Sequence, residues 1–448
     1  MTRRFSKAFF TFIIISIFLI FTSNLLGAQE RFEDSRFGVQ GAIVKFPDEM
    51  KEAGIEITRD WIDWQDMEPV KGQYNWAPMD KKVKAANQAG IEILGYFVHM
   101  PSWAKKEEKD LKSTVSMSKK YPLQEKYKKS KKPPLSGKKG TTSDFCAPKD
   151  INDFKEFAKA VAERYNGKNG HGRMKYIGIL NEVTIPEFFD FKNADYVLWL
   201  VNGYEAVKEG NPDAKVLIGA FVDPLFFLGG KPDQVAQKFI DKMLGNYSQY
   251  YDIVDFHSYS KDDKGIVETT QYIQGRMNVY NVNKPMWITE TATLTSMSQS
   301  DWQDNVAKGI IRRYVGALGN DVEKVFWFPF VGLPAPDEDP TGTETKTIAL
   351  GWAFKNSQTY HQRLAYNAYK LMTSKLAGFT SVEKITDTQY KFIVNKKSVY
   401  VLWCDSESCS LPSEIIGAVK LTDYLGNEEI KNASQATLGE SPVFVEEK

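Results

Sequence analysis

From residue 36 onward the chain alternates short apolar runs with longer stretches of helical periodicity, and this repeat limits its folds more than any other feature. The apolar runs are Phe37–Val44, Ile55–Arg59, Ile91–Phe97, Tyr176–Leu180, Lys215–Ala220, Ile253–His257, Met286–Thr289 and Lys324–Phe328. Between them lie helical patterns such as Met79–Ala89, Ile151–Tyr165, Ala194–Glu209, Gln234–Leu244 and Asp301–Leu318. Strands alternating with helices are the signature of repeated βα units, and eight of them over this length predict a (βα)8 TIM barrel of the α/β class. The first connection, Pro47–Ala53, holds barely two helical turns, so the first unit is expected to be irregular. A last long helix, roughly Gln358–Leu376, closes the barrel at 36–376.

After that helix the pattern changes character. Tyr390–Val394 and Val399–Trp403 flank Asn-Lys-Lys-Ser and read as a hairpin, with further short strands near Val419–Leu421 and Val443–Val445. Residues 377–448 are therefore expected to form a small sandwich-like β domain. A chain of 448 residues suits a large barrel with such an appendage.

The N-terminus reads as a targeting segment. Arg3, Arg4 and Lys7 precede an apolar run from Ala8 to about Phe21, and Gly27-Ala28 supply small residues for cleavage. Residues 1–28 are expected to be a signal peptide of an exported protein; an uncleaved anchor, the one route to a membrane, is the other reading. Three cysteines are too few for a disulfide scaffold. Cys404 and Cys409 sit at a spacing that allows a bridge across a short turn, and three unpaired thiols remain the alternative. No Cys/His spacing suggests a metal site, and no cofactor motif is present.

Charge is nearly balanced, 58 Lys+Arg against 57 Asp+Glu, which gives no field for nucleic acid. The exception is local. The insertion at 105–140, after the third strand, carries 13 Lys against four acids. It reads either as a solvated loop or as a basic lid that attracts an acidic polysaccharide.

The ends of barrel strands converge on one pocket. Collecting them gives Arg59 from the second strand, His99 and Trp103 beyond the third, and Asn181 with Glu182 from the fourth. The sixth gives His257 and Tyr259, the seventh Glu290 and the eighth Trp327. Burying a carboxylate unpaired is costly, so a strand has no structural use for one at its tip. Two of them, with an arginine, a tyrosine, an asparagine and aromatic faces, suit chemistry on a sugar acetal. One carboxyl protonates the leaving oxygen while the other attacks the anomeric carbon. Arg59 beside Glu290 would keep that group charged and Tyr259 would orient it. Glu182 then serves as proton donor, Asn181 holds the 2-hydroxyl, and Trp327 offers a stacking floor.

The Asn-Glu pair after the fourth strand and the Glu after the seventh resemble the clan A glycoside hydrolases. Other stretches are similar to family 39 and related bacterial endoglycosidases. These are Gly54-Ile55 leading to Arg59, Trp64, Glu68-Pro69, Gly72, Tyr74, Trp76 and Asp80, then Ala89-Gly90-Ile91 and Pro101-Ser102-Trp103-Ala104. Pro148-Lys149-Asp150 and Arg164-Tyr165-Asn166-Gly167 continue the pattern. The resemblance, over about residues 37 to 376, implies a retaining mechanism with Glu182 as acid/base and Glu290 as nucleophile, acting on a poly- or oligosaccharide.

Duller accounts stand beside these. Arg59 would serve equally as a structural ion pair, His99 as a satisfied polar residue, and His257 as an orienting group without substrate contact. Trp103 is either core or platform, and Trp61, Trp64 and Trp76 read as packing around the second strand. His171 and His361 read as surface or capping residues. A carbohydrate-binding or adhesion protein without catalysis on the same barrel is the competing function.

Overall fold

A computed structural model describes residues 36–106 and 144–448, apart from 186–187, 191–193, 226–233, 261–262, 296–299, 336, 340, 342–347 and 407. The expected signal peptide and nearly all of the lysine-rich insertion lie outside these residues. Among the described residues, no helix is long and apolar enough to cross a membrane.

Nine parallel strands build the barrel: β1 Phe37–Gln40, β2 Ile57–Asp63, β3 Glu92–Val98, β4 Tyr176–Gly178, β5 Lys215–Leu217, β6 Phe221–Val222, β7 Val254–Ser258, β8 Met286–Thr291 and β9 Val322–Trp327. Their order is β5-β4-β3-β2-β1-β9-β8-β7-β6, and a parallel bridge between Leu217 and Ile253 joins the two ends. β5 and β6 are thus two halves of one barrel strand, the first paired with β4 and the second with β7.

The break between them has a local cause. Gly219 and Ala220 take positive φ values of 101° and 45°, and both N–H groups turn inward to the carboxylate of Asp255, at 3.1 and 3.0 Å. A side chain at Gly219 would strike the Ile179 carbonyl and the Tyr196 hydroxyl, so only glycine fits.

Two apolar layers result. Inside the barrel, Ile57, Leu94, Tyr96, Tyr176, Leu217, Ile253, Trp287 and Phe326 pack together and fill its lower part. Outside it, the alternate residues of each strand meet the helices Ala77–Ala89, Ile151–Arg164, Tyr196–Gly210, Gln234–Asn246, Asp263–Val279, Trp302–Leu318 and Leu364–Leu376. Asp150 and Asp195 start two of these by accepting backbone N–H groups in the first turn. The first connection is the short helix Pro47–Glu52, as its length predicts.

Beyond the barrel, six antiparallel strands form one sheet: β10 Phe379–Thr386, β11 Gln389–Val394, β12 Lys397–Leu402, β13 Ala418–Asp423, β14 Glu428–Asn432 and β15 Val443–Glu447, ordered β10-β11-β12-β15-β13-β14. The expected hairpin is β11–β12. Its turn is tighter than the four residues read from sequence: Asn395 and Lys396 alone span it, both at positive φ. One face, through Tyr390, Phe392, Val401, Trp403 and Phe444, joins the core around the barrel helices. The other, through Tyr400, Leu402, Val419, Leu421 and Val445, is covered by loops and the two-residue strands Cys409–Ser410 and Thr437–Leu438. Cys404 and Cys409 form a disulfide, with Cα atoms 6.0 Å apart, and Cys146 is free.

Candidate active site

Strand β2 does not stop at Arg59, as the apolar pattern suggested, but runs on to Asp63. Arg59 therefore sits within the strand, and period-two alternation aims it into the barrel. It is fully buried. One guanidinium nitrogen donates to both Gln40 and Glu290, and the other donates to Asn181 Oδ1 at 2.5 Å. The rings of Tyr96 and Trp61 lie 4.2 and 4.5 Å from its centre. Burial works against its charge. Glu290, with smaller contributions from Tyr96 and Tyr259, more than offsets that, and the guanidinium is held above its ordinary range.

Glu290 reaches the same place through an irregularity. On β8, Trp287 and Thr289 point into the barrel and Ile288 points out to the helices. Strict alternation would send Glu290 outward as well. The pairing with β7 slips instead: Phe256 faces Ile288, but His257 faces Glu290. This extra residue, a β-bulge, turns Glu290 inward and lets Thr291 return to the outer layer, bonded to the Ser258 carbonyl at 2.8 Å. Besides Arg59, Glu290 accepts from the Tyr259 hydroxyl at 2.5 Å. Burial and the Glu290 charge push that phenol well up, so it stays a donor.

Glu182 comes after β4 in a turn where Leu180 and Glu182 itself have φ values of 65° and 45°. The turn brings its Oε1 to 2.8 Å from His257 Nδ1, which also lies 3.5 Å from Glu290 Oε2. His257 is wholly buried, and burial lowers its pKa to about 3, so the ring is neutral. Its Nε2 is buried without a partner. A proton on Nδ1 satisfies the carboxylates and leaves no N–H unpaired, which fixes the tautomer.

The donor atoms of Glu182, His257 and Glu290 all lie within 4.8 Å of one another. Among the described residues this is the grouping whose donors lie close enough to share a metal ion, yet Glu290 already has Arg59 as its counter-charge. The trio is thus a paired-carboxylate site with an internal donor.

The remaining expected residues lie higher or to one side. His99, at φ 54°, stands at the rim with Nδ1 2.6 Å from Asp63 and Nε2 3.7 Å from Asp144. Trp103 packs edge-on against Trp64 at 5.8 Å and donates to the Glu68 carbonyl at 2.9 Å. Trp327 is closed off from solvent and donates its indole N–H to the Ile348 carbonyl at 2.7 Å. A ring with no exposed face is not the stacking floor expected of it; it anchors the loop after β9. Of the four histidines, His361 is exposed and stacked on Trp352 at 3.8 Å.

Gln40, Tyr96 and Asp255 belong to the site although the sequence does not single them out. Gln40 ends β1, but the apolar run read from sequence continues to Val44 and so hides that end. Tyr96 and Asp255 lie deeper. The Tyr96 hydroxyl donates to Asp255, which also accepts from Thr289 at 3.1 Å, and this buried knot supports the ring against which Arg59 rests.

Comparison with known proteins bears on the fold and the class of the chain. A family model described as beta-galactosidase matches residues 42–214, and one described as glycosyl hydrolase catalytic core matches residues 224–345. A family 39 glycoside hydrolase from the gut symbiont Bacteroides cellulosilyticus WH2 superimposes with a TM-score of 0.63 at 18% identity, covering 93% of this chain and 82% of that one. A monomeric beta-xylosidase from Caulobacter crescentus CB15 gives 0.60 at 12% identity, over 92% and 96% of the two chains. The GH39 enzyme from Xanthomonas axonopodis pv. citri gives 0.57 at 12%, over 93% and 94%. No curated protein sequence matches the chain. At such identities the structures speak for the fold, a (βα)8 barrel, and the two family models carry the class: the chain is a glycosidase. Family 39 enzymes are among its structural relatives.

Proposed function

We propose that the chain is an exported retaining glycosidase that cleaves a poly- or oligosaccharide by double displacement. The observation that carries this is the proximity of the two carboxyl groups, whose facing oxygens lie within 4.8 Å. Retaining enzymes hold their carboxyls about 5–5.5 Å apart, whereas inversion needs about 6.5–9.5 Å to admit a water between them.

The surroundings assign the roles. Glu290, with Arg59 and Tyr259 on its two oxygens, is the ionised nucleophile; it attacks the anomeric carbon as Glu182 passes a proton to the departing oxygen. In the second step Glu182 takes a proton from water, which attacks the same carbon and frees Glu290. Asn181, oriented by Arg59, is placed to bond the 2-hydroxyl, where hydrogen bonds strengthen as the oxocarbenium character grows. The signal-like N-terminus supports export, and the lysine-rich insertion favours an anionic glycan.

Glu290→Gln is expected to reduce turnover by on the order of a thousandfold or more, with oligosaccharide binding kept. Product configuration monitored by proton NMR should be retained. A variant with parental turnover, or an inverted product, overturns the assignment. Hydrolysis of acidic glycans that is insensitive to salt removes the anionic part of the reading.

A further inference from the structure

The inward row of β2 does not end at Arg59. Ile57, Arg59, Trp61 and Asp63 alternate along it, from the packed barrel interior to the rim where Asp63 meets His99. Trp61 stands between these levels. Its ring packs against the barrel-interior cluster and lies 4.5 Å from the centre of the Arg59 guanidinium, which itself bonds both Glu290 and Asn181. Tyr96, Trp287 and Phe326 of that interior are closed to solvent, whereas Trp61 keeps part of its surface open. Its backbone is fixed from outside the barrel: Lys82 donates to the Trp61 carbonyl at 3.1 Å and to Asp60 at 2.7 Å. The site thus holds a positioned aromatic surface beside the arginine that bonds Glu290. Trp327, the ring expected to stack, is buried.

We propose that Trp61 is the sugar-stacking wall of this pocket and a determinant of its specificity. This rests on the glycosidase reading above. A flat indole complements a pyranose whose hydroxyls are all equatorial, because the axial C–H groups of such a ring form a continuous apolar face. The class favoured is β-glycosides of xylo or gluco configuration, whose rings offer an apolar C–H patch on both faces; the axial 2-hydroxyl of the manno series closes one of them.

The test compares binding of xylo-, cello- and manno-oligosaccharides by calorimetry in full-length Glu290→Gln, with and without a change at Trp61. Glu290→Gln alone should bind the first two series in preference to the third. Adding Trp61→Ala should weaken that binding about tenfold and flatten the preference, and Trp61→Phe should fall between. In the otherwise native enzyme the same changes should raise KM more than they lower kcat, and leave the pH profile of kcat unmoved. A role confined to packing Arg59 would shift that profile instead. Thermal melting separates misfolding from lost contact, and Trp61→Phe keeps the comparison open if the alanine variant unfolds. Equal binding with and without Trp61 overturns the proposal. So does a parent that binds neither equatorial series; hydrolysis of some other glycan would then leave the glycosidase reading standing.

Discussion

The floor and the rim of the cleft each place a histidine between two carboxylates, and the two behave in opposite ways. On the floor, His257 lies beside Glu182 and Glu290 with none of its own side chain exposed; burial dominates and drives its pKa down to about 3. At the rim, His99 lies beside Asp63 and Asp144 with 47% of its side chain exposed. There the hydrogen bond to Asp63 outweighs partial burial and raises its pKa. Carboxylate partners give a neutral, fixed donor in one place and a titrating cation in the other. What differs is access to water, which sets how much it costs to carry charge. The floor tolerates its own charges because Arg59 supplies the compensation.

The sharpest way to break that contrast is to remove the compensation. Arg59→Met keeps much of the volume but leaves Glu290 buried without its cation and Asn181 Oδ1 without its donor. Breaking one partner of a buried pair costs about 3–5 kcal/mol, and a loss of that size is expected in urea unfolding at neutral pH, with hydrolysis reduced in parallel. A variant within about 1 kcal/mol of the parent would show that the floor does not depend on this ion pair.

A second test uses pH. The folded pKa of His257 lies near 3 and the unfolded one near 6.5, so below about pH 6.5 the unfolded chain binds a proton that the native chain refuses. Stability from this group is present above that pH and declines as pH falls toward 3, by up to about 1.4 kcal/mol per unit. His257→Gln lacks the titration. The stability gap between parent and variant, from urea unfolding at about pH 7 and about pH 5, should therefore narrow at the lower pH. A constant or widening gap would contradict a neutral buried imidazole.

Much of this is legible in the chain, for reasons that also explain the omissions. The eight barrel strands stand out because parallel strands under helices are apolar on both faces, and the runs at β3, β7, β8 and β9 coincide closely with the observed elements. The end of β2 is hidden by Asp60 and Asp63, whose polarity interrupts the run although both remain in the strand. The helix Asp263–Val279 spreads its apolar residues too loosely for periodicity to show it. Glu182 and Glu290 are readable as carboxylates at strand tips. The bulge that turns Glu290 inward is not, since it depends on the register between β7 and β8. Nor is the fate of Trp327, decided by the Ile348 carbonyl 21 residues further on. Trp61 reads as packing from sequence because its inward direction becomes clear only once β2 is known to continue past Arg59.

The rim gives the smallest effect and the one of opposite sign. A raised folded pKa means that His99 contributes stability fully below about pH 6.5, where it is protonated in both states, and that the contribution disappears as pH rises through the folded value. The pair is half exposed and screened, so the contribution is expected to stay under about 1 kcal/mol. His99→Gln should consequently differ from the parent most at about pH 6 and hardly at all by about pH 9, with the difference reduced further by added salt. For His257 the gap closes toward acid; for His99 it closes toward base. If melting curves show both gaps closing in the same direction, access to water is not what separates the floor from the rim, and the carboxylate partners must be setting the two histidines in some other way.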